Sequence, residues 1–567
     1  MKKSVLFIFT ILTTLIFTSQ NLIAQTSGNT IIPVSLPKEP QDEPDSPGYL
    51  KYLQLKEQGK TFSTTSDGYI LSMSCSPFRY NFNNFKSSLK SLNTLESSYD
   101  LRALGKVTSV KDQKKCGDCW TFATMGAIES YWKTLGLGDF DLSEENLNNC
   151  HGFNQLPCDG GNVTMSAAYL TRMTGPYSES DAPYTGGITS CPQNLKPVAF
   201  VEEAIYLPKD INTIKQAIKD FGGIQTSMYW GDNHFNKTDN TYYYSQDSIN
   251  NHGILLAGWD DNKQTAGGKG AWIVKNSWGT KFGENGYMYL SYNDSKVLTE
   301  AAYYPNRVNY DSKYKLYSYD YFGPTKNTGL GTSEAYVLIK YTASQGNQKL
   351  QKIGLWVNTA NTTVDINIYI GYDFNVQTHT PVQILPTKTC PLPGYYTFDL
   401  NSSIDLKNGD EFYIRVKYNT PGYNFPIPTE RPIGCNATIE KGVCWLWNGS
   451  SWLQVGGETQ YAYDLTIRAI TYGANTGTEN EKYTENNLSI FPVPANDILN
   501  ITGKINSEVK TDINIINSLG EKVYSDCVKN NSTEFNKTIN VKSFPKGLYL
   551  LQFVTGAKVS CRKVIIN

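Results

Sequence analysis

Directly after Cys119 the apolar residues Trp120, Phe122, Ala123, Ala127, Ile128, Tyr131 and Leu135 recur at three- and four-residue intervals. That spacing gives a helix one buried face. It predicts a helix over 119–135, a second over 143–149 and a brief one over 49–56. Farther along the rhythm changes. Apolar runs at 223–229, 253–259, 271–276 and 286–291 predict buried strands. Then Val364, Ile366, Ile368 and Ile370 alternate with Asp365, Asn367 and Tyr369, and Phe412, Ile414, Val416 and Tyr418 alternate with polar partners. Period-two alternation between turn residues predicts an antiparallel sheet, and several such strands a β-sandwich over 307–473. The polar stretch 474–485 reads as a linker. Beyond it, strand-like runs begin at Leu488 and Leu548 and end at Asn567, with a hairpin turn at Asn517-Ser518-Leu519-Gly520, the outline of a small all-β module over 486–567.

At the other end, Lys2 and Lys3 precede an apolar run from Val5 to Phe17, and Leu22-Ile23-Ala24 precedes a plausible cut. This is the layout of a secretory signal peptide over 1–24, and the run is short for the alternative, an uncleaved membrane anchor. A chain of 567 residues needs several domains. Its formal net charge of -1 offers no basic excess, which argues against nucleic acid as a partner. The 39 tyrosines and 46 glycines fit exported β-rich modules. Export also makes the 11 cysteines intelligible. Cys116, Cys119, Cys150, Cys158 and Cys191 cluster, an odd number suiting two disulfides and one free thiol, with the pairing open. Between the signal peptide and the first long helix, residues 25–95 are a pro-segment candidate. Its start is proline-rich (Pro33, Pro37, Pro40, Pro44, Pro47) and suits extended chain. Cys75, within it, has no assigned role.

Candidate chemistry centres on Gln113-Lys114-Lys115-Cys116-Gly117-Asp118-Cys119-Trp120. Cys119 falls at a helix N-terminus, where unpaired N–H groups and the macrodipole favour a thiolate. Gln113 is placed to return its side-chain amide as an oxyanion donor. The plainer reading is a disulfide cysteine before a core helix. A thiolate nucleophile needs a base, and the histidines are His151, His234, His252 and His379. His252 stands in Asn251-His252-Gly253, where polar residues give way to an apolar run. Asn276 ends another, Trp272-Ile273-Val274-Lys275. His151, next to Cys150, reads as a surface residue rather than a second base. This chemistry calls for no cofactor and no metal.

Taken in order, Asp100-Leu101-Arg102, Val110-Lys111-Asp112-Gln113, Cys116-Gly117-Asp118-Cys119-Trp120, Leu142-Ser143-Glu144-Glu145, Gly160-Gly161, Asn251-His252-Gly253 and Asn276-Ser277-Trp278-Gly279 resemble the papain family over roughly 97–305. Histidine and asparagine about 130–150 residues beyond the cysteine also match that family. The resemblance implies a papain-like cysteine protease over 96–306, with a helical left lobe holding Cys119 and a β-rich right lobe holding His252 and Asn276. It implies disulfides Cys116–Cys158 and Cys150–Cys191, with Cys119 free. His252 would then lower the Cys119 thiol from about 8.5 to about 3–4, the range reached in papain itself. Asn276 would orient the imidazole, Gln113 would hold the oxyanion, and Trp278 would shield the His–Asn hydrogen bond. Gly160 and Gly161 would form a backbone strip for an extended peptide. Asn162, Val163 and residues near Ser227 and Met228 would line the specificity pocket. Two departures stand out: Asp118 replaces a small residue, and Lys114-Lys115 replaces a glycine-containing pair. The family's usual helical pro-region motif is absent.

Residues 307–473 resemble the lectin-like domain that follows the protease in some bacterial papain-like enzymes. A glycan is one partner this implies, with Trp445, Trp447 and Trp452 as a stacking platform or, more plainly, as core and rim aromatics. Cys435 and Cys444 are close enough in sequence to pair, as are Cys527 and Cys561 across strands, with Cys390 left over. Residues 486–567 resemble the C-terminal sorting domain of type IX secretion substrates in the Bacteroidetes, implying outer-membrane secretion machinery as a partner; an adhesive immunoglobulin-like module is the alternative. The expected fold class is thus multidomain α+β, a two-lobed papain-like protease followed by a β-sandwich and a small immunoglobulin-like all-β domain. The expected function is a secreted or cell-surface cysteine endopeptidase acting on peptide or protein substrates. A transglutaminase-like acyl transferase would want an aspartate where Asn276 stands. A surface adhesin with a vestigial protease would not keep Gln113, Cys119, His252 and Asn276 together.

Overall fold

The computed structural model describes residues 35–85, 95–192, 194–344, 348–374, 379–457, 459–473, 489–493, 495–504, 511–517, 521–528, 534–555 and 558–566. The expected signal peptide, the linker and the turn residues 518–520 lie outside them. The chain divides into two compact units, residues up to Ala474 and residues from Asn475.

Five α-helices occur among the described residues. The first, α1 (Pro47–Glu57), is capped by the Ser46 hydroxyl, which accepts from the Tyr49 N–H, and has Pro47 in its first turn. Next, α2 (Cys119–Thr134) is buried on nearly every side, and the chain leaves it through Gly136 at a φ of 75°. Then come α3 (Glu144–Cys150), α4 (Val163–Thr171) and α5 (Ile211–Phe221), whose N-caps Ser143, Asn162 and Asp210 each accept from a first-turn N–H. The helices expected at 49–56, 119–135 and 143–149 are present. Neither α4 nor α5 was expected. Every residue of α4 is buried, so it carries no polar face to betray its period. In α5 the stripe of Ile214, Ala217 and Ile218 was there to be read.

The four apolar runs become the strands Ile224–Met228, His252–Thr265, Gly268–Lys275 and Tyr287–Ser291, hydrogen-bonded in that order in a 13-stranded sheet. This sheet does not end with the protease lobe. Gly394 and Tyr395 pair with Ile205 and Ala204, so the ladder runs on through Gly394–Leu406, Gln348–Val357 and Ile467–Gly473 of the following module. The expected sandwich and protease therefore share one sheet within one unit. A second, 7-stranded sheet contains the predicted alternating strands Thr362–Ile370 and Glu411–Asn419. Between the sheets lies an aliphatic core that includes Val364, Ile366, Ile368, Ile414 and Val416. Arg468, fully buried, donates to Asp320 and also to the carbonyl and hydroxyl of Thr171 in α4. A buried charge this well paired is costly to break, by about 3–5 kcal/mol when one partner is removed.

Residues 35–85 lie along this unit. Gln41–Asp42 adds an edge strand to Lys326–Gly329 of the lectin-like region, and Phe62–Thr64 pairs with Ile70–Ser72 in a hairpin. The disulfides Cys116–Cys158 and Cys150–Cys191 are formed. Cys435 and Cys444 are not bridged: Cys444 faces the sandwich core and the Cys435 thiol donates to the Arg431 carbonyl, 3.4 Å away. Cys390 is a free thiol in the same core. Cys527 is also unbridged, and the side chain of Cys561 lies outside the described residues. The second unit is all-β, with one sheet of three strands and one of four around Leu499, Ile501, Ile513, Ile515, Leu551 and Phe553.

Candidate active site

Cys119 opens α2 with no exposure to solvent. Its thiol accepts from the Gly253 N–H at 3.1 Å, because His252–Thr265 packs against the helix start. A side chain at Gly253 would meet the Trp120 backbone at 2.8–2.9 Å, so glycine is what lets strand and helix approach so closely. One residue earlier, the His252 Nε2 lies 2.8 Å from Asn276 Oδ1, and Nδ1 is left without a partner. Asn276 ends the neighbouring strand, and its Oδ1 also accepts from the Ser277 N–H. Trp278 stacks on the imidazole with ring centroids 4.6 Å apart.

Gln113 is held from behind. Its Oε1 accepts from the Ser277 hydroxyl at 2.7 Å and the Trp278 indole at 3.0 Å, which turns the Nε2 donor forward. Sequence reasoning missed Ser277; its place between Asn276 and Trp278 was the available signal. Trp278 therefore has a second partner besides the histidine.

What Nε2 meets is the pro-segment. It donates to the Ile70 carbonyl at 3.2 Å as well as to Cys116 O at 2.8 Å. The Ser72 carbonyl and Met73 sulfur each lie 4.0 Å from the Cys119 thiol. Ser74 N–H donates to Gly161 O at 3.0 Å, and its hydroxyl accepts from Asn162. Tyr69 stacks on Trp278 and donates to its carbonyl. Residues 69–74, with Ile70–Ser72 a β-strand, thus lie across Gln113, Cys119, Gly160, Gly161, Asn162 and Trp278. No pattern in that segment announces this.

The two glycines differ in their reasons. A Cβ at Gly160 would meet the Ser72 backbone at 2.7 Å, as expected of a strip that a peptide approaches. At Gly161 it would instead strike the Trp120 ring at 2.3–2.7 Å. Of the expected pocket residues, Asn162 and Val163 begin α4, while Ser227 and Met228 pair with Gly253 and His252. Lys114 takes the left-handed φ of 54° that glycine would supply, its N–H bonded to Asp112. His151 is a correction. It is buried rather than on the surface, its Nδ1 accepts from the Phe153 N–H, and burial lowers it to about 4.

Electrostatics differ from the expected ion pair. Burial raises the Cys119 thiol to about 12 and lowers His252 to about 4, so both are neutral here. Desolvation beneath residues 69–74 outweighs the helix dipole.

A buried cysteine at a helix start, a histidine–asparagine pair and a forward-turned glutamine amide, set between a helical and a β-rich lobe, define a papain-like site. Residues 95–306 match the family Papain family cysteine protease, residues 316–471 the Lectin like domain and residues 489–567 the Secretion system C-terminal sorting domain. Residues 95–306 are thus similar to the papain family and are followed by a lectin-like domain and a secretion sorting domain, which places the chain among secreted or cell-surface proteins. Over 218 residues it is 33% identical to a cathepsin L-like peptidase of Aedes aegypti, covering 36% of this chain and 63% of the relative. Human cathepsin L2 is 32% identical over 225 residues, 37% of this chain and 66% of the relative. The chain thus spans a little under two thirds of these relatives' length. The crystal structure of the cysteine protease and lectin-like domains of Cwp84, a surface layer associated protein of Clostridium difficile, superposes with a TM-score of 0.65 at 22% identity, over 78% of this chain and all of that one. A second Cwp84 structure gives 0.60 at 23% identity, over 67% of this chain and 100% of that one. Both speak for the fold.

Proposed function

We propose that the chain is a secreted cysteine endopeptidase, made as a zymogen whose residues 69–74 fill its own cleft. The observation that carries this is the convergence of the Cys119 thiol, the Gln113 amide and the Gly161 carbonyl on one short backbone segment. With that segment gone, His252 Nδ1 takes the thiol proton. The thiolate forms a bond to the scissile carbonyl carbon, and the carbonyl electrons move to oxygen, held by Gln113 Nε2–H and the Cys119 N–H. Collapse breaks the C–N bond while the imidazolium protonates the leaving amine. Water, deprotonated by His252, then hydrolyses the thioester. Asn276 Oδ1 accepts from Nε2–H throughout and keeps Nδ1 toward sulfur.

The lectin-like region offers a glycan platform on the outer face of its 7-stranded sheet. Phe374, 41% exposed, lies 4.7 Å from Trp445, with Trp447 and Trp452 alongside. The sorting domain would deliver the chain to outer-membrane secretion machinery.

The test is hydrolysis of a peptide library read by mass spectrometry. Cys119→Ala or His252→Ala should each remove nearly all cleavage, since the two act as a unit. Asn276→Ala should lose about 10- to 100-fold, the scale of one orienting hydrogen bond. Substantial cleavage by Cys119→Ala protein would sink the assignment.

A further inference from the structure

Asp118 is the N-cap residue of α2, yet its carboxyl caps nothing. Aspartate in that place ordinarily accepts from a first-turn N–H. Here the side chain, with no exposure to solvent, turns to Tyr184, whose hydroxyl lies 3.0 and 2.9 Å from its two oxygens. The same hydroxyl lies 2.7 Å from the main-chain carbonyl of Gln113. The phenol has one hydrogen and faces acceptors on two groups. Were Asp118 ionised, the phenol would donate to it, and the Gln113 carbonyl would face an oxygen lone pair at 2.7 Å. Were Asp118 protonated, its hydroxyl would donate to Tyr184 and Tyr184 to Gln113, satisfying both contacts.

The surroundings favour the second arrangement. Among the described residues no Lys, Arg or His forms an ion pair with Asp118. The groups facing it are Tyr184, the Cys119 thiol and Glu145 of α3, whose like charge adds to burial in raising the carboxyl to about 8. Lys114 sits over the Tyr184 ring at 5.6 Å, and Glu145 is engaged by the N–H and hydroxyl of Thr185.

We propose that Asp118 and Tyr184 are positioning residues for peptide hydrolysis: a protonated Asp118 donates to Tyr184, Tyr184 donates to the Gln113 carbonyl, and this relay holds the oxyanion amide and the nucleophile in one geometry. The proposal rests on the endopeptidase reading. A neutral carboxyl also spares the thiolate next to it, since an ionised Asp118 opposes a negative charge on Cys119. When Asp118 loses its proton, charge appears beside the nucleophile and the phenol hydrogen swings to the carboxylate, so the Gln113 carbonyl loses its hydroxyl donor and keeps only the Cys116 N–H at 3.4 Å. Activity then falls.

The experiment is the pH profile of kcat/KM for the chain and two variants, each freed of its pro-segment. Asp118→Asn keeps a neutral donor to Tyr184, so it should match the parent at neutral pH and move the alkaline limb up by about one pH unit or more, the parent limb being set near 8. Tyr184→Phe should lower kcat about tenfold with little change in KM, the loss of one hydrogen bond of about 1.4 kcal/mol in the reacting geometry. An alkaline limb that stays put in Asp118→Asn overturns the proposal. So does one that moves down, which would mean an ionised carboxylate supporting the His252 imidazolium. Wild-type kcat in Tyr184→Phe also overturns it. A parent that cleaves nothing after its pro-segment is removed would be a failure of the endopeptidase reading, taking the relay with it; a cleaving parent with unaltered variants would be a failure of the relay alone.

Discussion

Burial has set the charge state of the two reacting residues. With His252 lowered to about 4 and Cys119 raised to about 12, the occluded site holds a neutral pair. An exposed histidine titrates near 6.5. Between about 6.5 and about 4 a released site takes up a proton that the occluded one refuses, so His252's contribution to the pro-segment's hold is complete above 6.5 and is lost as pH falls. The change amounts to about 3 kcal/mol, at 1.36 kcal/mol per unit. Amide exchange at residues 69–75 of Cys119→Ala protein, corrected for intrinsic rates, should therefore lose more protection between pH 7 and 4 than the same protein with His252→Gln. Equal loss in both would contradict this. The residues that meet at the candidate site were legible in the sequence, because short motifs keep them beside glycines and tryptophans. Their protonation was not, because it depends on a segment some fifty residues upstream of the nucleophile.

The elements divide by how their burial is distributed. Strands such as Thr362–Ile370, whose first five residues alternate between buried and half-buried, announce their period, and α2 does so through its bulky positions. Buried on all sides, α4 does not. The strands at residues 62–64 and 70–72 are only three residues long, and their meaning comes from what they cover. Gly160 and Gly161 are expected to share one reason for being glycine, and the structure gives each its own. Because the Gly161 Cβ would land in the Trp120 ring, Gly161→Ala should destabilise the start of α2 by about 1–3 kcal/mol, the range of an overpacked core. Thermal denaturation with the parent midpoint would show that Trp120 has room to move.

Across the whole molecule, the shared sheet and the buried Arg468, which donates to Thr171 of α4, join the protease to the lectin-like region. The sequence suggested two neighbours in line; one continuous ladder was beyond it, since pairing between Gly394 and Ile205 leaves no local trace. The unit beginning at Asn475 has its own core, and the catalytic groups all lie in the other unit. A chain ending at Gly473 should retain peptidase activity but collect in the periplasm of its natural host, as fractionation with activity assays would reveal. Undiminished secretion would refute the sorting role, and loss of intrinsic activity would mean the last unit supports the protease fold. The central claim is that Cys119 is the nucleophile and that residues 69–74 keep it shut. It is tested most directly by following iodoacetamide labelling of Cys119 by mass spectrometry, alongside peptide hydrolysis, before and after the pro-segment is removed from the purified chain. Both should be absent at first and emerge together, with one label per chain abolishing hydrolysis. Hydrolysis that persists with Cys119 fully alkylated, or full labelling while the pro-segment is in place, would contradict the account.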